Sequence, residues 1–170
     1  MRPFVCLVAL AVASLFAVPA QAQSGGAYGG MYVTGGSTAQ ALSTTAAKMT
    51  GFATAAVSSS SDGDQSIVTT IASDVVTLQP GTYMATFNVS AAISVINVEA
   101  TFSLRNGATA VGTGTSCVIE SSDAAATASG GFCGIFTVSS EATISVYAAA
   151  ETGTPNLTPS EAQLTLVRLK

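Results

Sequence analysis

The segment that most constrains this chain runs Gln79-Pro80-Gly81-Thr82-Tyr83-Met84-Ala85-Thr86-Phe87-Asn88-Val89-Ser90-Ala91. Pro80 and Gly81 break the apolar run before it. Tyr83, Ala85, Phe87, Val89 and Ala91 then alternate with Met84, Thr86, Asn88 and Ser90. Successive side chains of a strand point to opposite faces, so strict period two predicts a half-buried antiparallel strand.

The start of the chain reads as an export signal rather than as part of the fold. Arg2 is followed by an apolar run from Phe4 to Val18 and by Ala20-Gln21-Ala22, a small-x-small cleavage site. The run is shorter than the ~20 residues a membrane span needs. Cys6 stands inside it rather than behind it, which argues against a lipid anchor. The expected organisation is a cleaved signal peptide over 1–22, a short flexible leader over 23–26 and one domain over 27–170. The expected location is extracellular, at the cell surface or in the periplasm.

Charge narrows the partners. The formal net charge is −4 and charged residues make up 8% of the chain, against ~25% in ordinary globular domains. A broad basic surface for nucleic acid or anionic lipid is excluded. Ser, Thr, Ala and Gly fill surface positions instead. No second long apolar run follows the first. Two cysteines remain after cleavage, Cys117 and Cys133, and an even pair in an exported chain reads as a disulfide. Metal or redox chemistry has little support, because there is no Cys-x-x-Cys and no histidine.

The rest alternates short apolar segments with Gly, Ser, Asp and Pro, the pattern of an all-β sandwich or barrel. Strands are expected over 27–34, 48–55, 66–71, 74–78, 83–93, 96–105, 108–113, 116–120, 132–139, 143–149 and the C-terminal end. Ile96, Val98, Ala100, Phe102 and Leu104 share one face, and Asn106-Gly107 supplies a two-residue hairpin turn. Residues 123–131 read as a linker, 58–65 and 152–160 as loops. Leu164 and Leu166 oppose Val167 and Leu169, so the last strand should be buried on both sides. About nine or ten strands fit an antiparallel two-sheet jelly roll.

These residues resemble the tumour necrosis factor-like jelly rolls, in particular the globular heads of the complement collagen-like proteins and their bacterial and phage relatives. Gly29-Gly30-Met31-Tyr32-Val33 resembles the first strand. Gly81-Thr82-Tyr83 through Phe87-Asn88-Val89-Ser90 resembles the Gly-x-Tyr-x-x-x-Phe-x-Val-Ser motif. Asn106-Gly107 resembles the hairpin, and Leu164 to Leu169 the closing strand. The Phe-x-Gly-Phe-type ending of the animal heads is absent, and Ser140-Glu141 replaces the usual Gly-Asp. The resemblance implies a homotrimer about a threefold axis, with Tyr32, Tyr83, Phe87 and Leu169 as interface candidates. A place in the core of one subunit is the plainer role for each aromatic.

Little points to catalysis. Histidine, the commonest general base, is missing, and no nucleophile elbow or phosphate loop occurs. Glu99 and Glu120 could form a carboxylate pair of the glycosidase kind, but their spacing does not select them. Asp62-Gly63-Asp64 could contribute oxygens to calcium, although an Asp-Gly turn explains it as well. No other cofactor is indicated. Asn88 and Asn156 begin glycosylation triplets, the first within an expected strand. The favoured function is a non-enzymatic structural or surface-display protein that assembles as a homotrimer. The alternative is a lectin-like or adhesin module that binds glycan or protein through its loops, which hold almost no aromatics. A filament-forming subunit is a third class.

Overall fold

The computed structural model describes residues 28–34, 38–54, 68–72, 74–123 and 126–169. The expected signal peptide, leader and loop 58–65, with Asp62 and Asp64, lie outside the described residues. Thirteen strands and no helix occur among them: β1 (Tyr28–Thr34), β2 (Gln40–Ala41), β3 (Ala47–Lys48), β4 (Ala53–Thr54), β5 (Val68–Ala72), β6 (Val75–Leu78), β7 (Gly81–Ile93), β8 (Glu99–Asn106), β9 (Thr109–Ala110), β10 (Ser116–Glu120), β11 (Thr127–Val138), β12 (Ala142–Ala150) and β13 (Asn156–Arg168). They form two sheets, ordered β11-β7-β13-β1-β4 and β10-β8-β12-β6-β5, with β2, β3 and β9 paired at the margins. Every pairing is antiparallel.

The core follows from alternation. Tyr83, Ala85, Phe87, Val89, Ala91 and Ile93 of β7 are all buried, and the residues between them are not. Ala100, Phe102 and Leu104 of β8 and Ile144, Val146 and Ala148 of β12 face them from the second sheet. Phe87 packs on Phe132 of the neighbouring strand at 5.2 Å between ring centroids and on Phe102 of the opposite sheet at 5.8 Å. Aromatic pairs at this spacing add ~0.5–1.5 kcal/mol beyond the area they bury. At the base of the sandwich, the Tyr83 hydroxyl donates to the Gln79 carbonyl at 2.6 Å. Arg168 donates to the Pro80 carbonyl at 2.6 Å. The turn that begins β7 is thereby held from both sides. Burial raises the Tyr83 pKa, and the Arg168 charge partly opposes that shift.

Several expectations are corrected. Ile96 is 50% exposed because β8 starts only at Glu99, after a turn in which Asn97 takes a φ of 55°. Asn106 pairs with Thr109, so the hairpin turn is Gly107-Ala108, with Gly107 at φ 59°. Residues 127–131, read as linker, are the first part of β11, and most of 152–160 belongs to β13. The last strand buries Ala162, Leu164 and Leu166, while its other side stays partly open in the single chain.

The expected disulfide is absent: Cys117 and Cys133 are both free. The reason is parity. Cys117 shares the inward side of β10 with buried Ile119, and its sulfur lies 3.9 Å from where a Cβ on Gly130 would sit. Cys133 falls between buried Phe132 and Gly134 and points outward, where Thr86 donates to its sulfur at 3.7 Å. Each thiol belongs to a different sheet and faces a different side of the wall.

The edges of the two sheets, β10 and β11, are drawn together by small residues. A Cβ on Gly134 would lie 2.7 Å from Thr115 Cγ2 and 2.8 Å from the Gly114 carbonyl, and one on Gly130 would lie 2.6 Å from Ile119 Cγ2. Just beyond, Thr113 bridges Ile135.

Two outcomes are expected. Phe87→Ala should lower stability by about 3–5 kcal/mol, the usual cost of emptying an aromatic core site, read from denaturant midpoints at unchanged m-value. For the thiols, unfolding without reductant should release two titratable groups, with Cys117 protected in the native protein. Burial pushes the Cys117 pKa from 9.0 to about 11. The unfolded thiol therefore ionises first, and stability should fall as pH rises from 9 to 11. Cys117→Ala should flatten that part of the fall in melting temperature.

Candidate functional site

Because β7, β13, β1 and β11 turn one set of residues inward, register fixes what their outer face carries. Ile135 pairs with Met84, and Met84 with Val167, which makes an apolar row across three strands. Ile135 is 56% exposed and Leu169, which continues the Val167 side past the end of β13, is 51% exposed. The next row is Cys133, Thr86 and Thr165. After it come Gly131, Asn88, Gln163 and Tyr32, one from each of four adjacent strands. Ser129 and Ser90 follow, bonded to each other at 3.0 Å. Ser160 bonds the Ser90 carbonyl at 3.0 Å, beside a register shift between Pro159 and Glu161.

A groove of about 690 Å³ lies at this second end, lined by Tyr32, Asn88, Ser90, Ser129, Glu161 and Gln163. The volume is within the ~300–1,000 Å³ usual for ligand sites. Among the described residues of its lining, Glu161 is the one charged side chain. The second sheet differs. Its strands carry Glu99, Arg105 and Glu120, and Arg105 lies 5.6 Å over the Tyr147 ring.

The interface candidates divide. Tyr83 and Phe87 are fully buried in the core of the single chain, so they cannot line an axis between chains. That corrects the expectation and returns both to the plainer role. Tyr32, 36% exposed, and Leu169 stand on the surface, at opposite ends of the same face.

Glu99 and Glu120 are direct cross-strand partners, a like-charge pairing that weakens a sheet. No third ligand joins them: among the described residues no group of three or more His, Cys, Asp or Glu could hold a metal. Asn88 and Asn156 are both exposed and both on strands. No helix among the described residues is long and apolar enough to cross a membrane. Gln163 and Glu161 escaped sequence reasoning altogether. Alternation around Leu164 marks Gln163 as outward, but only the register of β13 places it between Asn88 and Tyr32.

No family model and no curated protein sequence matches this chain. Solved structures do. Eiger TNF from S. frugiperda superposes with a TM-score of 0.58 at 11% identity, over 85% of this chain and 94% of its own. Murine APRIL at pH 8.0 gives a TM-score of 0.50 at 13% identity, over 84% of this chain and 99% of its own. The globular domain of zebrafish complement 1qA protein aligns at a lower TM-score of 0.46, with 15% identity, over 85% and 98% of the two chains. With two antiparallel sheets in this strand order, matched almost end to end by the insect and murine domains, the chain has the tumour necrosis factor-like jelly-roll fold.

Proposed function

We propose that the protein is an exported, non-enzymatic structural or surface-display module that assembles as a homotrimer through the outer face of β11, β7, β13 and β1. One observation carries the reading. The apolar row Ile135, Met84 and Val167, extended by Leu169, lies on the sheet whose outer face is nearly free of charge. Fully burying side chains of this size is worth ~1.5–3 kcal/mol each, before the cost of association. Thr82, Thr86, Thr137 and Thr165 surround the row, and Thr82 and Thr137 already bond each other at 3.1 Å. Hydroxyls so paired are far cheaper to desolvate than charges. Export rests on Arg2, the run Phe4 to Val18 and Ala20-Gln21-Ala22. A trimer is what the fold resemblance implies, and Leu169 is the sequence-derived candidate that fits this contact.

Light scattering of the mature protein should give three chains at micromolar concentration. Ile135→Asp places a charge in the apolar row and should yield a folded monomer whose melting temperature no longer depends on protein concentration. Cys133 stands one row away, so alkylation should be slow in the assembly and fast in the Ile135→Asp monomer. A wild-type monomer, or Cys133 reacting equally in both, would defeat the reading.

A further inference from the structure

The outer face of the second sheet lies outside the contact proposed above, and its charges are sorted along the strands. Glu120 pairs with Glu99 across β10 and β8. Ala150 pairs with Ala100, and the Glu151 amide donates to the Glu99 carbonyl at 2.9 Å. Three glutamates therefore stand in one row across β10, β8 and the end of β12. Like charges directly opposite weaken a sheet, and the row closes no metal site among the described residues. The next two rows are uncharged where they cross these strands: Val118, Thr101 and Ala149, then Ser116, Ser103 and Tyr147. Val118 is 50% exposed. Beyond them comes Arg105, on β8 like Glu99. It donates to Ser103 Oγ at 3.0 Å and to the Ala108 carbonyl at 3.2 Å, with its guanidinium over the Tyr147 ring. None of these partners is anionic. Along the strand Glu99 and Arg105 are about 20 Å apart.

From this pattern we infer that the face is a second contact between copies of this chain, isologous and two-fold. An axis lying between the two faces, at right angles to β8 and level with Phe102, sets β8 antiparallel over β8 of a second copy. Phe102 is midway between Glu99 and Arg105, so Glu99 of each chain meets Arg105 of the other in one register. Thr101 then faces the second copy's Ser103, and Ala149 its Tyr147. At the usual ~30° crossing of packed sheets, the charged rows slide sideways by about one strand spacing. A row of three glutamates keeps a carboxylate opposite Arg105 on either side. Nucleic acid is repelled by that row, and a purely basic partner leaves Arg105 unmatched, whereas a second copy answers both charges. A patch three strands wide is small against the ~1,200–2,000 Å² that stable complexes bury, so copies meet here only when concentrated. On the homotrimer proposed above, a two-fold contact repeats three times and links units into a layer or shell. That consequence rests on the trimer; the contact itself does not.

Sedimentation equilibrium of the mature chain and of its Ile135→Asp variant, at up to about 1 mM chain in low salt, tests this. Both should associate beyond the unit each forms at micromolar concentration, and about 0.5 M salt should reverse it. In the Ile135→Asp chain, Glu99→Arg and Arg105→Glu should each lower the association constant about tenfold or more. An equimolar mixture of these two should restore it, because each supplies the charge the other lacks. Thr101→Lys, at an exposed position beside the crossing, should abolish association in a folded chain, and this variant decides if Arg105→Glu does not fold. The contact is overturned by no association beyond the micromolar unit, by association that survives a charge reversal or Thr101→Lys, or by a mixture that stays apart. A failed homotrimer leaves the Ile135→Asp results standing, and a failed two-fold contact leaves three chains at micromolar concentration.

Discussion

The contact of Phe87 with Phe132 and Phe102 is the constraint from which the rest of this structure follows. It joins a strand to its neighbour and one sheet to the other through a single ring. Once Phe87 points inward, period two leaves no choice at Thr86 and Asn88, which must point outward. Register then carries that decision across the sheet. Phe132 and Leu164 lie opposite Phe87, so Cys133 and Gln163 must follow Thr86 and Asn88 to the surface. A slip of one residue would reverse every one of these assignments and place the Thr row in the core. The outer face is therefore the obligatory complement of the core.

The glycines of β11 show the same logic at an edge. Gly130 and Gly134 occupy inward positions where the second sheet comes closest. A side chain at either would push β10 away and open the sandwich along that side. The strand thus gives up β-propensity to gain proximity, a normal exchange where two backbones approach. This also explains why the segment looks like a linker in sequence. Its composition records closeness to β10, which no local pattern reveals.

What was legible in the sequence was local. The alternation at Tyr83 to Ala91, at Ala100 to Leu104 and at Ile144 to Ala148 specified strands, their buried faces and the all-β class. The turn at Pro80-Gly81 marked where β7 begins. Pairings between distant segments were not legible. Asn88 and Gln163 are neighbours only because β7 and β13 are adjacent, and no spacing along the chain encodes that. Cys117 and Cys133 show the limit most clearly. Counting cysteines gave a bridge, whereas the parity of two strands in different sheets put one thiol inside and the other outside. Asn106-Gly107 was right in kind and wrong by one residue, since turn chemistry requires a positive φ at Gly107 but is indifferent to which partner precedes it.

A surface this poor in charge must stay hydrated by other means, and the outer face of β7 shows how. Thr82, Thr86, Asn88 and Ser90 succeed one another there, each able to bond water or a neighbour without a full charge. Threonine also favours the strand, so one residue type serves both propensity and solubility. Such a face can be covered by a second protein surface at much lower desolvation cost than one bearing Lys and Glu. That advantage fades toward Asn88, Gln163 and Glu161, where unpaired amides and a carboxylate would need partners of their own in any contact.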